Sequence, residues 1–247
     1  MPAIDSRWAI SLGGSTPTDA EVGHLSLGRA GYEETLRLQR RLRERRLSEA
    51  IGDVVITVEH DPVLTMGRSG SLDNLLVSRE TLDGLGVSLV EVERGGDITY
   101  HGPGQLVVYP ILDLREHGRD LGAYVRGLEE TILRVLSSYG VAGERVEGRP
   151  GVWVEGRKIA SLGIHVRRWV TLHGAAFNVD VDRSHFALIR PCGLPVDVVS
   201  LSDLVTSEIS VGDVADRFLR AAEAVFGWTV RSVQLEELGG RADEPTA

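Results

Sequence analysis

Apolar positions along the chain switch between two periods, and the switches mark the elements. In LGAYVRGLEETILRVLSSYG (121–140), Tyr124, Leu128, Ile132, Val135 and Tyr139 recur at intervals of three and four. That spacing predicts an amphipathic helix, with Gly140 in the usual stop position. GYEETLRLQRRLRERRLSEA (31–50) also reads as a helix. Glu33 and Glu34 suit its positive N-terminal end, and Leu36, Leu42 and Leu47 give an imperfect apolar stripe. A further helix is expected over roughly 211–226, capped by Ser210 with Asp213.

Elsewhere the pattern is that of strands. DVVITVEH (53–60) is β-branched and bounded by Gly52-Asp53 and Asp61-Pro62. SLVEVE (88–93) alternates, as a half-buried strand does. QLVVYPILDL (105–114) is a continuous apolar run, which predicts a strand covered on both faces. In GVWVEGRKIASLGIHV (151–166), two strand-like pieces flank Glu155-Gly156, a tight hairpin turn. TLHGAAFNVDV (171–181) is a further strand after a turn around Arg167-Arg168, and an irregular stretch containing Cys192 follows. Hairpins in the middle with helices near both ends predict a single α+β domain, its mixed, largely antiparallel sheet flanked by helices. A loose segment (1–21) and a disordered tail (238–247) are expected to bracket it.

Length and composition narrow the setting. The 247 residues fit one large domain, and the apolar and charged fractions are ordinary. Cys192 is the sole cysteine, so no internal disulfide forms and a reducing compartment is expected. The N-terminus lacks a basic start followed by an apolar run, so no secretory signal is expected. The longest apolar runs, such as LVVYPIL, are too short for a bilayer, which makes cytoplasm the expected location and a membrane no partner. The net charge of −9 repels phosphate backbones, arguing against nucleic acid. The arginines between 37 and 46 read as a solvated helix face, with a docking surface for an acidic protein as the alternative.

Three segments carry candidate chemistry. RGGDITYHGPGQ (94–105) offers Arg94 and His101 among glycines that let backbone N–H groups approach a ligand, although a tight loop also explains them. It is neither a P-loop nor a dinucleotide fingerprint, since no Gly-Lys-Ser/Thr and no helix pattern follow. In GRKIASLGIHV and LHGAAFNVDV, Lys158 enters an apolar strand, where it either snorkels out or points into a cleft. Small residues at 161–163 and 174–176 leave room for a chain-like ligand or for a close strand crossing. His165 and His173 lack the spacing of a metal pair. Cys192 is either a small buried hydrophobe or a reactive thiol; Pro191 and Gly193 place it in a loop, where functional side chains are displayed.

RGGDITYHGPGQLVVYPILDL, GRKIASLGI, TLHGAAFNVD and IRPCGL, with EHDPVLTMGR and GVWV upstream of two of them, resemble the lipoyl(octanoyl) transferase family. The resemblance runs over about 22–230. It implies a catalytic domain similar to that of biotin and lipoate protein ligases. The implied reaction moves an octanoyl group from octanoyl-acyl carrier protein to a lysine of a lipoyl domain, the first step of endogenous protein lipoylation. The implied acceptors are lipoyl domains of 2-oxoacid dehydrogenase complexes and the glycine cleavage H protein.

The family's cysteine/lysine dyad falls on Cys192 and Lys158. Its acyl-binding segments fall on Arg94, Gly95, Gly96, Asp97, Ile98, Thr99, Tyr100 and His101, on Ser161, Leu162 and Gly163, and on Gly174, Ala175 and Ala176. His173 is expected to support the site. The resemblance implies no ATP, no metal and no other cofactor. Acidic carrier partners would need a locally basic surface, from Arg149, Arg157, Arg167 and Arg168 or from the arginine-rich helix. The competing readings are an ATP-dependent lipoate or biotin ligase, an amidotransferase between lipoyl-bearing proteins, and a non-catalytic acyl-protein binder. The cysteine of PCGL favours transfer over ATP-dependent ligation, the acyl donor separates off the amidotransferase, and an intact dyad argues against the binder.

Overall fold

The computed structural model describes residues 20–190 and 197–240. The strands are β1 (Ala20–Ala30), β2 (Asp53–His60), β3 (Val63–Met66), β4 (Ser88–Glu91), β5 (Ile98–His101), β6 (Gln105–Ile111), β7 (Glu144–Val146), β8 (Arg149–Val154), β9 (Arg157–Arg167), β10 (Val170–Asn178) and β11 (Trp228–Ser232). The helices are α1 (Tyr32–Leu47), α2 (Arg79–Leu85), α3 (Leu121–Ser138) and α4 (Val211–Phe226). Eight strands form one sheet in the order β11-β1-β2-β6-β10-β9-β8-β7, and β4-β3-β5 form a second. The large sheet is antiparallel except where β1 runs parallel to both β2 and β11.

The two-residue period of the central strands divides the core. Val55 of β2, Leu106 and Val108 of β6, and Ala175 and Phe177 of β10 pack with Leu128 and Ile132 of α3 and Val214 and Phe218 of α4. Their alternates Val54, Ile56, Val107, Ile111, Leu172 and Ala176 pack with Leu38 and Leu42 of α1. Both faces are therefore covered, which is why β6 reads as a continuous apolar run. The small sheet has its own core, in which Leu64, Ile98 and Tyr100 meet Leu82 and Val87.

Local signals fall where the sequence placed them. Asp213 N–H donates to Ser210 Oγ at 3.1 Å and caps α4. Glu155 and Gly156, at φ 51° and 76°, make the mirror-image turn whose twist suits a hairpin. Several expectations need correction. The second hairpin turns at Arg168-Trp169, one residue later than expected, both residues having positive φ. The strand expected at 88–93 ends at Glu91. Ala20 and Glu21, placed in a loose segment, pair with Trp228 and Thr229. The tail expected over 238–247 does not include Leu238, which is buried against the α1 side of the sheet; residues 241–247 lie outside the described ones. The arginines of α1 are not simply a solvated face: Arg43 and Arg46 are buried, and Arg40 makes two hydrogen bonds to Glu93.

Candidate active site

Pairing of β9 with β10 sets Gly174 opposite Gly163, Ala175 opposite Leu162 and Ala176 opposite Ser161. The two small-residue segments are thus one cross-strand patch. A Cβ on Gly174 would lie 2.1 Å from the Val108 carbonyl oxygen of β6, so the close strand approach demands glycine here. On Gly163 a Cβ would lie 2.9 Å from Arg94 Cδ, so its absence makes room for that side chain. Above the patch opens a cavity with an empty volume of about 350 Å³, lined also by Arg94, Thr99, His101 and His173, and by Tyr32, Val107 and Tyr109.

Alternation along β5 sorts the predicted binding segment. Thr99 and His101 face the cavity, whereas Ile98 and Tyr100 belong to the core of the small sheet. Tyr100 stacks on His185 at 4.8 Å. Asp97 accepts from Asn74 Nδ2 at 2.6 Å and Ser71 N at 3.3 Å, a loop-fixing role. Gly95 N–H donates to Ile164 O, and Gly96 has φ 86° where the chain enters β5. These five expected binding residues, Gly95, Gly96, Asp97, Ile98 and Tyr100, support the wall without lining it.

The polar groups in the wall are largely neutral. Arg94, buried at 7% exposure, donates through Nη2 to Thr65 O and Oγ1 and through Nε to Thr65 Oγ1. Burial, together with the charges of Arg94 and other neighbours, pushes the His101 imidazole down to about 3, so it is neutral. Its Nδ1–H donates to Gln105 Oε1 at 2.8 Å. His60, held at about 4 by burial, donates from Nδ1 to Ala30 O and accepts the Tyr109 hydroxyl at Nε2. Tyr32 stacks on His101 with 5.7 Å between ring centroids, and burial pushes its hydroxyl up to about 12.

His173 differs. It has φ 61° within a strand, is buried at 1% exposure, and neither ring nitrogen has a hydrogen-bond partner. Its Nε2 lies 3.8 Å from Glu93 Oε2, ion-pair range rather than hydrogen-bond range. His173 first, and then Arg40 against the effect of burial, hold the Glu93 carboxyl well below the usual range. An unpartnered imidazole in a cavity wall offers a polar contact to a ligand.

Lys158 stands on β9, three positions before Ser161, and is not part of the cavity wall. Its Nζ donates to Pro150 O at 3.1 Å and lies 4.9 Å from the centroid of the Trp153 ring. Its main chain grips the segment that follows position 196: Lys158 N–H donates to Asp197 O at 2.8 Å, and Val199 N–H donates to Lys158 O at 3.0 Å. Cys192 lies outside the described residues. Among the described residues there is no cluster of three or more His, Cys, Asp or Glu side chains suited to a metal, and no helix is long and apolar enough to cross a membrane.

A protein-family model described as the lipoyl protein ligase A/B catalytic domain matches residues 31–223. The chain belongs to that family. Within it, the octanoyltransferase of Solibacter usitatus is 46% identical over 200 residues, covering 81% of this chain and 90% of the relative. The octanoyltransferase of Acidobacterium capsulatum is 52% identical over 184 residues, covering 69% and 74%. A chain from a Thermoplasma acidophilum lipoylation system, comprising a bi-partite lipoate protein ligase and its E2 lipoyl domain, superposes with TM-score 0.69 at 16% identity, covering 89% of this chain and 90% of that one. At that identity the likeness shows the shared fold, a mixed sheet flanked by helices.

The sequence alone did not single out Tyr32, Val107 and Tyr109. Val107 and Tyr109 are hidden inside an apolar run, and Tyr32 reaches the cavity only because α1 packs across β10. For Lys158 a signal was present and unused: it is the only lysine in the chain.

Proposed function

We propose that this acyltransferase moves an octanoyl group from octanoyl-acyl carrier protein to a lysine of a lipoyl domain, through a thioester on Cys192. The observation that carries the reading is the cavity floored by paired small residues, on the same strand whose Lys158 grips the chain at Asp197 and Val199. Such a floor suits an eight-carbon chain, each fully covered methylene contributing roughly 0.8 kcal/mol. Lipoyl domains as acceptors accord with the octanoyltransferase relatives.

The steps balance with the dyad alone. The Lys158 ammonium favours the Cys192 thiolate. The thiolate attacks the donor carbonyl, the new C–S bond forms, and the donor thiolate leaves with a proton from Lys158. The acceptor amine then attacks the acyl-cysteine, the C–N bond forms, and Cys192 departs as thiolate. Neutral Lys158 takes the proton the amine sheds, which restores the starting pair. Thioester exchange is near energy-neutral and thioester-to-amide transfer is downhill, so the proposed reaction needs neither ATP nor a metal.

The test is intact mass spectrometry after mixing with octanoyl-acyl carrier protein, without ATP or acceptor, beside Cys192→Ala. The expected result is an octanoyl adduct that hydroxylamine removes and the variant lacks. An active, folded protein with no adduct would overturn the acyl-enzyme, and ATP-dependent attachment of the free acid would favour ligation.

A further inference from the structure

A continuous run of buried hydrogen bonds joins the cavity wall to the segment held by Lys158. Arg94 donates to Thr65 Oγ1, which donates to His101 Nε2 at 3.3 Å. His101 Nδ1–H donates to Gln105 Oε1 at 2.8 Å. Gln105 Nε2 donates to Tyr100 O at 3.3 Å and to Asn178 Oδ1 at 2.9 Å. Asn178 Nδ2 in turn donates to Val199 O at 3.2 Å. The directions are mutually fixed. Tyr100 O and Val199 O can only accept, which orients both amides, and Gln105 Oε1 can only accept, which puts the proton of His101 on Nδ1. Thr65, Gln105 and Asn178 are all buried, and Gln105 and Asn178 are direct cross-strand partners between β6 and β10. Val199 is therefore held twice: by its N–H to Lys158 and by its carbonyl to Asn178.

We propose that Gln105 and Asn178 are positioning residues for acyl transfer: their amides lock His101 in its Nδ1–H tautomer at the cavity and tether Val199, so the strand crossing at Lys158 keeps a fixed place relative to the acyl pocket. The kinetic part rests on the octanoyl-transfer reading above; the structural part does not. A buried network fully satisfied in one direction has one arrangement, whereas a plain apolar contact would allow sliding.

Asn178→Asp keeps the acceptor for Gln105 and removes the donor to Val199; Asn178→Ser is the second, uncharged variant. Leu25→Ala, in the core on the α1 side that contains none of the network residues, controls for lost stability. With octanoyl-acyl carrier protein as donor and a lipoyl domain as acceptor, both Asn178 variants should lose about 10–100-fold in kcat, the scale of misplacement by roughly 1 Å. KM should stay within about threefold, and the control within about twofold in both. Amide exchange at Val199 should quicken at least about tenfold in the Asn178 variants and not in the control. Unchanged kcat in active, folded Asn178 variants would overturn the proposal and leave the proposed function intact. Wild-type protein that transfers no octanoyl group would overturn that function; the tether is then judged by exchange alone, and unchanged protection at Val199 overturns it.

Discussion

Two buried arginines show how differently one residue type is used in two regions of the molecule. Arg46, in the last turn of α1, donates to Asp53 at 2.7 Å and pairs with Glu116 at 2.7 Å and Asp113 at 3.8 Å. His117 also meets Asp53 there. Arg94, at the cavity, sends its hydrogen bonds to neutral oxygens of Thr65 and Gly95. The first cluster is charge matched with charge, which ties helix, strand and loop together. In the second, the described hydrogen bonds of the cation end on neutral oxygens, and its field helps depress His101 and His173. Under the proposed function, such a wall keeps His101 neutral where the acyl chain would lie.

Single variants should dissociate the two regions. The largest effect is expected from Lys158→Ala, which should lower the rate of octanoyl transfer by about 10²–10⁴-fold, the range of a lost proton-transfer group. Its melting temperature should move little, because its side chain is only half-buried, over Trp153. Loss of folding instead of activity would make Lys158 a scaffold residue. Arg46→Met should do the reverse. Breaking a buried pair and leaving its carboxylates unpaired costs about 3–5 kcal/mol, read as a lower urea midpoint. Its kcat below the melting transition should stay near wild type.

The pH dependence sharpens the contrast. His60 and His101 have folded values near 4 and 3 against 6.5 in the unfolded chain. Their contribution to stability is fully present above about pH 6.5 and declines as pH falls toward those values, because the unfolded chain takes up the protons first. Each should contribute a slope of about 1.4 kcal/mol per pH unit in that window. Asp113 acts in the same direction but at lower pH: burial raises its carboxyl, but the guanidinium and backbone N–H of Arg115 outweigh that and hold it below 3.8. Its contribution is present above that value and is lost only at lower pH. Urea midpoints between about pH 7 and pH 4.5 should therefore fall less steeply in His60→Gln and with unaltered slope in Arg46→Met. An unaltered slope in His60→Gln would contradict a buried neutral imidazole. The smallest effect is expected from reversing Arg167 and Arg168, both exposed where β9 ends and the turn begins, with Arg167 paired to Glu44 at 3.4 Å. KM for acyl carrier protein should rise several-fold at low salt and converge with wild type as salt screens the contact. No change would exclude that turn as the docking surface.

How much the sequence disclosed depended on the range of the interactions involved. Helix α4 was legible from Ser210 and Asp213 because a cap is a local hydrogen bond. The β8–β9 turn was legible because Glu155-Gly156 must adopt positive φ. Strand β1 was not, since the irregularity between Ser26 and Arg29, with Gly28 at φ 59°, breaks its two-residue period. β7 has three residues and β3 four, too short for a periodic signal. Of the expected acyl-binding residues, Gly163 and Gly174 proved to be direct cross-strand neighbours, whereas Ile98 and Tyr100 point into another core.

By itself the sequence determined the periodic elements, the small-residue patches and the family blocks, because each is written in near neighbours along the chain. It also marked Lys158, the one lysine in a chain that otherwise uses arginine for positive charge. Guanidinium groups do not shed protons near neutral pH, whereas an ammonium can. Tertiary structure alone decided which arginines are buried against carboxylates, that Tyr32 of α1 closes the cavity, and that Gln105, Asn178 and Val199 form one line. Those contacts join residues up to tens of positions apart, and only strand pairing and helix docking bring such groups within hydrogen-bonding distance.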